Sequence, residues 1–149
     1  MSLEIEIMTQ LKQAMKDKNE VALRTLRAIK SAILIEKTAV AGKDALTAEE
    51  ELKLIQKLAK QRKDSIDIFT TQNRTDLASK EQEELEILNS FLPQQLTDSE
   101  LTDAINVIIA KLGVTDSKEV GKVIGAANKE LAGKAEGKLI AQKAKELLQ

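Results

Sequence analysis

The sequence predicts an all-α protein with two helical domains, an N-terminal helical-hairpin domain at residues 1–92 and a C-terminal three-helix domain at residues 97–149. Ala, Leu, Lys, Glu and Ile dominate the composition, and all of them except Ile are strong helix formers. No segment alternates apolar and polar residues with the period of two that is typical of a strand. The only proline is Pro93, which disfavours a helix before it, so residues 93–96 are the best domain boundary.

The first two helices are indicated by cap residues and by apolar residues at helical spacing. Ser2 and Asn19 are of the type whose side chain accepts a hydrogen bond from the first helical turn. The apolar positions of the first helix recur every four residues, at Leu3, Ile7, Leu11 and Met15. Those of the second helix include Ala22, Leu26, Ile29 and Ile33. Residues 41–44 are predicted to form the loop that follows.

Two further helices complete the predicted N-terminal domain. Thr47 and Glu50 have the spacing of a capping box at the start of the third helix. The predicted apolar face of that helix consists of Leu52, Ile55, Ala59, Ile66 and Phe69. The fourth helix is predicted to start at Thr75 or Asp76 and to stop at Leu92, before the proline. Its apolar positions are Leu77, Leu85 and Leu88.

One arginine falls on an apolar helix face. Arg62 lies between Ala59 and Ile66 on the third helix, and Glu81 and Glu84 lie beside the apolar positions of the fourth. Because a buried arginine needs a partner, we predict an ion pair between Arg62 and Glu81 or Glu84. The alternative is that the stem of Arg62 covers the core while its guanidinium stays in water.

Three shorter helices are predicted in the C-terminal domain. Thr97 and Glu100 form a second capping box, and the helix that follows ends at Gly113, a residue suited to a left-handed helix end. The next helix is predicted to start at Asp116 or Ser117 and to end at Gly133. The apolar positions of the last helix are Leu139, Ile140, Ala144 and Leu147.

Two clusters that combine glycine with lysine, at residues 121–125 and 133–137, are the most unusual feature of this domain. A glycine in a helix costs about 0.5–1 kcal/mol relative to alanine, so these positions need a reason. One interpretation is packing alone, with Gly121 and Gly125 as a smooth strip for another helix and Gly133 and Gly137 as a helix end and a turn. The other combines packing with a presented lysine surface, because the N–H groups that start the last helix attract anions.

The composition excludes several kinds of catalysis. The chain has no cysteine and no histidine, so it lacks a thiolate nucleophile and the usual general base at neutral pH. A phosphate loop needs a glycine separated by four residues from a Gly-Lys pair, but Asp116 and Asn128 occupy the two relevant positions. The adjacent Ser79 and Lys80 are the remaining candidate for a serine nucleophile activated by lysine. They are predicted to lie on an exposed helix turn, which is unsuited to catalysis.

Acidic residues on helix faces are more typical of solvated surface than of a metal site. Residues 49–51 are three consecutive glutamates, and Asp64 and Asp67 are the other pair that could hold magnesium. We predict no catalytic residue, no cofactor and no metal for this chain alone.

Four patches together resemble the GatB/YqeY family over nearly the whole chain, and the match is closest to free-standing YqeY-type proteins. They are residues 60–65 with Phe69, residues 74–77 with Glu81 and Glu84, residues 91–97 with Glu100, and residues 120–125 with 133–137. The family commonly has Gly at the position of Asn73, Met at those of Val120 and Ile124, and Asp at that of Glu136.

This resemblance implies a two-part helical fold and a link to tRNA. The same module forms the tail of the B subunit of the glutamine-dependent aspartyl/glutamyl-tRNA amidotransferase, where it helps to hold the tRNA. Family labels therefore attach carbon–nitrogen ligase activity, with glutamine as the amido-N donor, to similar proteins. By resemblance, the expected fold is an N-terminal helical domain followed by a three-helix domain.

We therefore predict a tRNA-associated accessory or binding protein. The candidate tRNA-binding residues are Gly121, Lys122, Gly125, Lys129, Gly133, Lys134, Gly137 and Lys138. The alternatives are a helical protein–protein interaction module and a non-catalytic component of a carbon–nitrogen ligase (amidotransferase) assembly. An interaction module is suggested by the contrast between the acidic residues 75–110 and the basic residues 111–149. With no apolar signal-like stretch, the expected location is the cytoplasm, away from membranes.

Overall fold

The computed structural model describes residues 2–149 and contains, within them, helices and turns but no strand. The predicted all-α class is therefore confirmed. The α-helices are α1 (Leu3–Lys16), α2 (Glu20–Thr38), α3 (Ala48–Thr71), α4 (Thr75–Asn89), α5 (Asp98–Leu112), α6 (Val120–Glu130) and α7 (Gly137–Leu147). No helix among the described residues combines the length and the apolar character needed to cross a bilayer.

The chain divides into two compact units, one that ends at Leu92 and one that spans Pro93–Gln149. Helices α1–α4 build the first unit and α5–α7 the second. Each unit has its own apolar core, with Ile29 and Ile55 fully buried in the first and Ile105 and Val123 in the second. That each unit folds by itself, as the domain boundaries 1–92 and 97–149 imply, stays a prediction.

The predicted helix caps are present. Ser2 Oγ accepts from Ile5 N–H at 3.3 Å, and Asn19 Oδ1 accepts from Ala22 N–H at 3.1 Å. Both capping boxes form in both directions, at the start of α3 and at the start of α5. These contacts satisfy N–H groups that have no partner inside the helix, which is why the helices start at these residues.

The apolar face of α1 differs from the predicted one at its last position. Met15 is 55% exposed, and Ala14 is buried with Leu3, Ile7 and Leu11. Each step of four residues overshoots a full helical turn by about 40°, so three steps carry Met15 about 120° away from Leu3. The step of three residues from Leu11 to Ala14 keeps the side chain of Ala14 on the core side of the helix.

The apolar face of α3 is also only partly as predicted. Its buried residues are Leu54, Ile55 and Ala59, and Leu54 was absent from the predicted face. Leu52, Ile66 and Phe69 are half-buried. Burial on α3 therefore ends at Ala59, although the helix continues for three more turns.

The middle helix of the second unit starts and ends differently from the prediction. Asp116 Oδ1 accepts from Lys118 N–H at 3.0 Å and starts a short 3₁₀ turn at Ser117–Glu119, so α6 itself begins at Val120. It ends at Glu130, before the turn in which Gly133 has a φ of 78°. The predicted end of α5 at Gly113 is confirmed, with a φ of 66°.

Candidate nucleic-acid interface

The outer face of α6 carries two open glycines. Gly121, Gly125 and Asn128 are spaced by four and three residues, which sets them on one side of the helix. A Cβ atom added to Gly121 or Gly125 would meet nothing within 4 Å in the described structure beyond their own chain neighbours and local helix backbone. Within the second unit, these glycines are therefore not a packing strip for another helix.

The opposite face of α6 does the packing. Val123 and Ala127 are completely buried in the core of the second unit. Two positions along a helix correspond to a rotation of about 200°, so residues 121 and 125 point away from whatever Val123 contacts. The apolar pattern thus contained the signal that Gly121 and Gly125 face outward.

Gly133 has a structural role inside the second unit. It is buried, and its positive φ of 78° is a conformation that glycine adopts without steric cost. Its carbonyl accepts from Gln95 Nε2 at 2.6 Å, and the carbonyl of Lys134 accepts from Leu96 N–H at 2.9 Å. This turn therefore anchors the segment that enters α5, and Gly133 is not part of the exposed surface.

The first turn of α7 has no side-chain cap. Gly137 is its first residue, and the cap residue Glu136 makes no side-chain hydrogen bond to the first turn. Asn128 Oδ1 lies 3.9 Å from the position of a Cβ on Gly137, so the outer face of α6 continues into the first turn of α7. Backbone N–H groups and the positive end of the helix dipole meet there.

Four lysines surround this face, which we call the α6–α7 face and define as Gly121, Gly125, Asn128 and Gly137 with Lys122, Lys129, Lys134 and Lys138. All four lysines are exposed. Lys122 Nζ lies 3.2 Å from Glu119 Oε1, an exposed pair that contributes little to stability. Among the described residues no carboxylate pairs with Lys129, Lys134 or Lys138.

Lys143, unlike the four lysines of the α6–α7 face, has a structural role. Its side chain is mostly buried, with Nζ 2.9 Å from Asp98 Oδ1 and 3.4 Å from Glu146 Oε2. The hydrogen bond to Asp98 is the main reason why the pKa of Lys143 is raised. This lysine ties α7 to the start of α5, so its charge is already neutralised.

The chemistry of the α6–α7 face suits phosphate groups and does not suit base recognition. Ammonium groups and backbone N–H groups bind phosphate oxygens without reading sequence. Residues 93–149 contain no arginine for bidentate recognition of guanine and no aromatic residue for stacking on a base. The two phenylalanines of the chain, Phe69 and Phe91, belong to the first unit and are half-buried.

The structure brings Arg62 together with both glutamates singled out from the sequence. Arg62 Nε lies 2.8 Å from Glu84 Oε2 and 3.6 Å from Glu81 Oε2, and Glu84 is 8% exposed. A second arginine, Arg24 of α2, also belongs to this contact although it was not predicted to do so, and its Nε lies 2.5 Å from Glu84 Oε1. Arg24 follows Leu23 at the edge of the apolar face of α2, and this position could have indicated that its guanidinium group needs a partner.

The acidic residues considered as metal ligands have other partners. Glu49 pairs with Lys53 at 2.8 Å, and its pKa is lowered mainly by that hydrogen bond. Glu50 completes the capping box of α3 and contacts Lys43. Glu51 Oε1 accepts from Leu3 N–H at 3.2 Å and so caps α1 from a distant helix. Asp64, Asp67, Ser79 and Lys80 are all exposed.

Known proteins resemble the chain over most of its length. The family model described as "Yqey-like protein" matches residues 4–148. The protein named "Altered inheritance of mitochondria protein 41, mitochondrial" of Saccharomyces cerevisiae (strain YJM789) is 39% identical over 100 residues, which cover 65% of this chain and 52% of the relative. Its namesake in Pyrenophora tritici-repentis is 34% identical over 129 residues, which cover 84% and 68%.

A third relative of the same name, from Lachancea thermotolerans, is 39% identical over 90 residues, which cover 60% of this chain and 48% of the relative. The chain thus spans about half the length of these yeast relatives. The family model, by contrast, covers the chain almost from end to end, across α1–α7 and both compact units. The chain therefore belongs to the family of Yqey-like proteins.

Proposed function

We propose that this protein is a tRNA-associated accessory or binding protein that holds the tRNA backbone on the α6–α7 face. The observation that carries the proposal is the open space at Gly121 and Gly125, near Lys129, Lys134 and Lys138, which have no carboxylate partner among the described residues. The resemblance to the tail of the amidotransferase B subunit supplies the class of ligand.

The glycines at positions 121 and 125 support an external partner because no packing contact within the second unit explains them. Each one costs about 0.5–1 kcal/mol of helix stability relative to alanine. Alanine would fit at either position without a contact, so packing within the chain does not offset that cost. A glycine face does allow a sugar-phosphate backbone to approach the helix more closely than a methyl group would permit.

The lysines give the binding its expected character. Lys122 and Lys129 lie two turns apart on α6, and Lys134 and Lys138 flank the start of α7. Four phosphate contacts make log K fall with log salt with a slope of about −3 to −4. Because these groups do not read bases, binding follows the shape of the RNA more than its sequence.

A tRNA-binding titration of the full chain at two salt concentrations tests the proposal. We expect the triple variant Lys122→Glu, Lys134→Glu, Lys138→Glu to bind at least about 10-fold more weakly than the unaltered chain. The matched control is Lys12→Glu, Lys16→Glu, Lys30→Glu, which changes the net charge equally on exposed residues of the first unit. Equal binding by the two triple variants would contradict the site, and the absence of salt-sensitive binding by the unaltered chain would contradict the function.

The second candidate is a protein-interaction module, including a non-catalytic component of a carbon–nitrogen ligase assembly. It is favoured by large apolar side chains that are exposed on the first unit, such as Ile5, Leu34 and Ile35. Affinity purification of the full chain distinguishes the two candidates. A stoichiometric protein partner, together with no retention of tRNA, would favour the interaction module.

The compartment is also part of the proposal. We propose the cytoplasm, whereas the relatives carry "mitochondrial" in their names. Fractionation of the source cells checks this point. Recovery of the protein with the mitochondrial matrix would contradict a cytoplasmic location without affecting the proposed contact with tRNA.

A further inference from the structure

The end of the α3–α4 hairpin has almost no core. Residues 67–80, which we call the distal hairpin, form the last turn of α3, the connecting turn and the start of α4. None of these residues is buried, and Phe69, Leu77 and Ala78 alone are half-buried. Ile66, one position before the segment, is the last residue of α3 that packs against the core of the first unit.

The local backbone of the distal hairpin is also weakly supported. Asn73 adopts a positive φ of 57°, a conformation in which glycine is more stable. The side chain of Arg74, the cap residue of α4, accepts no hydrogen bond from a backbone N–H of the first turn. Its ion pair with Asp76 at 3.1 Å is exposed on both sides, and such pairs contribute little.

The root of the hairpin is held much more firmly. There the buried carboxylate of Glu84 accepts from Arg62 of α3 at 2.8 Å and from Arg24 of α2 at 2.5 Å. Glu84 is followed by the buried residues Leu85 and Leu88. Burial and side-chain contacts between α4 and the rest of the first unit therefore increase sharply between Glu81 and Leu85.

We propose that the distal hairpin opens as a unit while the rest of the first unit stays folded, and that the Arg62–Glu84 contact marks the limit of the opening. Segments with few buried apolar contacts open at a lower free energy than the core to which they are attached. The distal hairpin is then the part of the first unit that a partner can order or reshape most easily.

Hydrogen exchange of the full chain, followed by mass spectrometry, tests the opening. In the unaltered protein, amides of residues 67–80 should exchange at least about 10-fold faster than amides in the middle of α1 and α2. Equal protection of these segments would overturn the proposal. Phe69→Ala should accelerate exchange in residues 67–80 by about 10-fold.

Two further variants test the opening. Ile7→Val, in the core of α1, should accelerate exchange in α1 and α2 about fivefold without changing residues 67–80, because the opened hairpin keeps α1 folded. A change by the same factor in both segments of Ile7→Val would mean that they open together and would overturn the proposal. Asn73→Gly relieves the positive φ, so it should slow exchange of residues 67–80 by about two- to fivefold, and an unchanged rate there would contradict the weak support at the turn.

Discussion

Glu84 Oε2 lies 2.8 Å from Nε of Arg62, and the other oxygen of the same carboxylate lies 2.5 Å from Nε of Arg24. One buried carboxylate thus joins α2, α3 and α4. Nη2 of Arg24 is buried without a hydrogen-bond partner among the described residues, so Arg24 depends on Glu84 for its compensation, whereas Arg62 also faces Glu81 at 3.6 Å. Such a cluster contributes little net stability when complete, but it is costly to break.

We expect Glu84→Gln to lower the free energy of unfolding by about 2–4 kcal/mol, because it leaves Arg24 without a carboxylate and Arg62 with only the more distant Glu81. Urea denaturation of the full chain at neutral pH measures the loss. Glu83→Gln is the matched control, since Glu83 is exposed on the same helix and should change stability by less than about 0.5 kcal/mol. Equal effects of the two substitutions would show that the buried contact is unimportant.

The second arginine changes what a charge exchange should do. In the double variant Arg62→Glu with Glu84→Arg, the new guanidinium group would lie against Arg24. We therefore expect the double variant to recover little of the stability that each single substitution loses. Full recovery in urea denaturation would mean that Arg24 does not share the carboxylate in solution.

We expect Lys18→Gly to raise the free energy of unfolding by about 0.5–1 kcal/mol, because Lys18 has a positive φ of 53° after the end of α1. The neighbouring Asn19 N–H donates to the carbonyl of Ala14 at 3.0 Å, so the turn itself is retained. Lys16→Gly, two residues earlier and still helical, should instead destabilise by about the same amount. Thermal or urea midpoints of the two variants should therefore move in opposite directions.

We expect Gly121→Ala and Gly125→Ala each to stabilise the protein by about 0.5–1 kcal/mol, since the added methyl groups meet open space and alanine is the better helix former. The same substitutions should weaken binding of tRNA if a phosphate backbone approaches α6 closely. Denaturation and tRNA titration on the same samples separate the two effects. Stabilisation with unchanged binding would remove Gly121 and Gly125 from the proposed interface.

Acid sensitivity should depend partly on Glu50. The hydrogen bond from Lys43, followed by that from the backbone of Thr47, lowers the pKa of Glu50 below its ordinary value of 4.5. A carboxyl group whose pKa is lower in the folded state contributes stability above 4.5 and loses it as the pH falls through the folded-state pKa. We expect Glu50→Gln to lose less stability than the unaltered protein between pH 5 and pH 3, as measured by denaturation across that range. An identical loss in both proteins would contradict this role of Glu50.

The sequence alone determined the helical class and most helix starts, because both depend on residues within about four positions of each other. The capping boxes at Thr47 and Thr97, the caps at Ser2 and Asn19 and the helix end at Gly113 are local in this sense. The contact of Arg62 with Glu84 could also be predicted from the sequence, because a charged group on an apolar helix face needs a partner.

The tertiary structure decided which side of each helix is used. Arg24 and Glu84 are 60 positions apart in the chain, and only the packing of α2 on α4 brings them together. The same holds for Gly133, which is buried. Its carbonyl accepts a hydrogen bond from Gln95 Nε2, 38 positions away in the chain. Gly121 and Gly125 remained on the surface because Val123 and Ala127 turn the other side of α6 into the core. Long-range packing therefore separated the glycine that holds the second unit together from those that leave an open face.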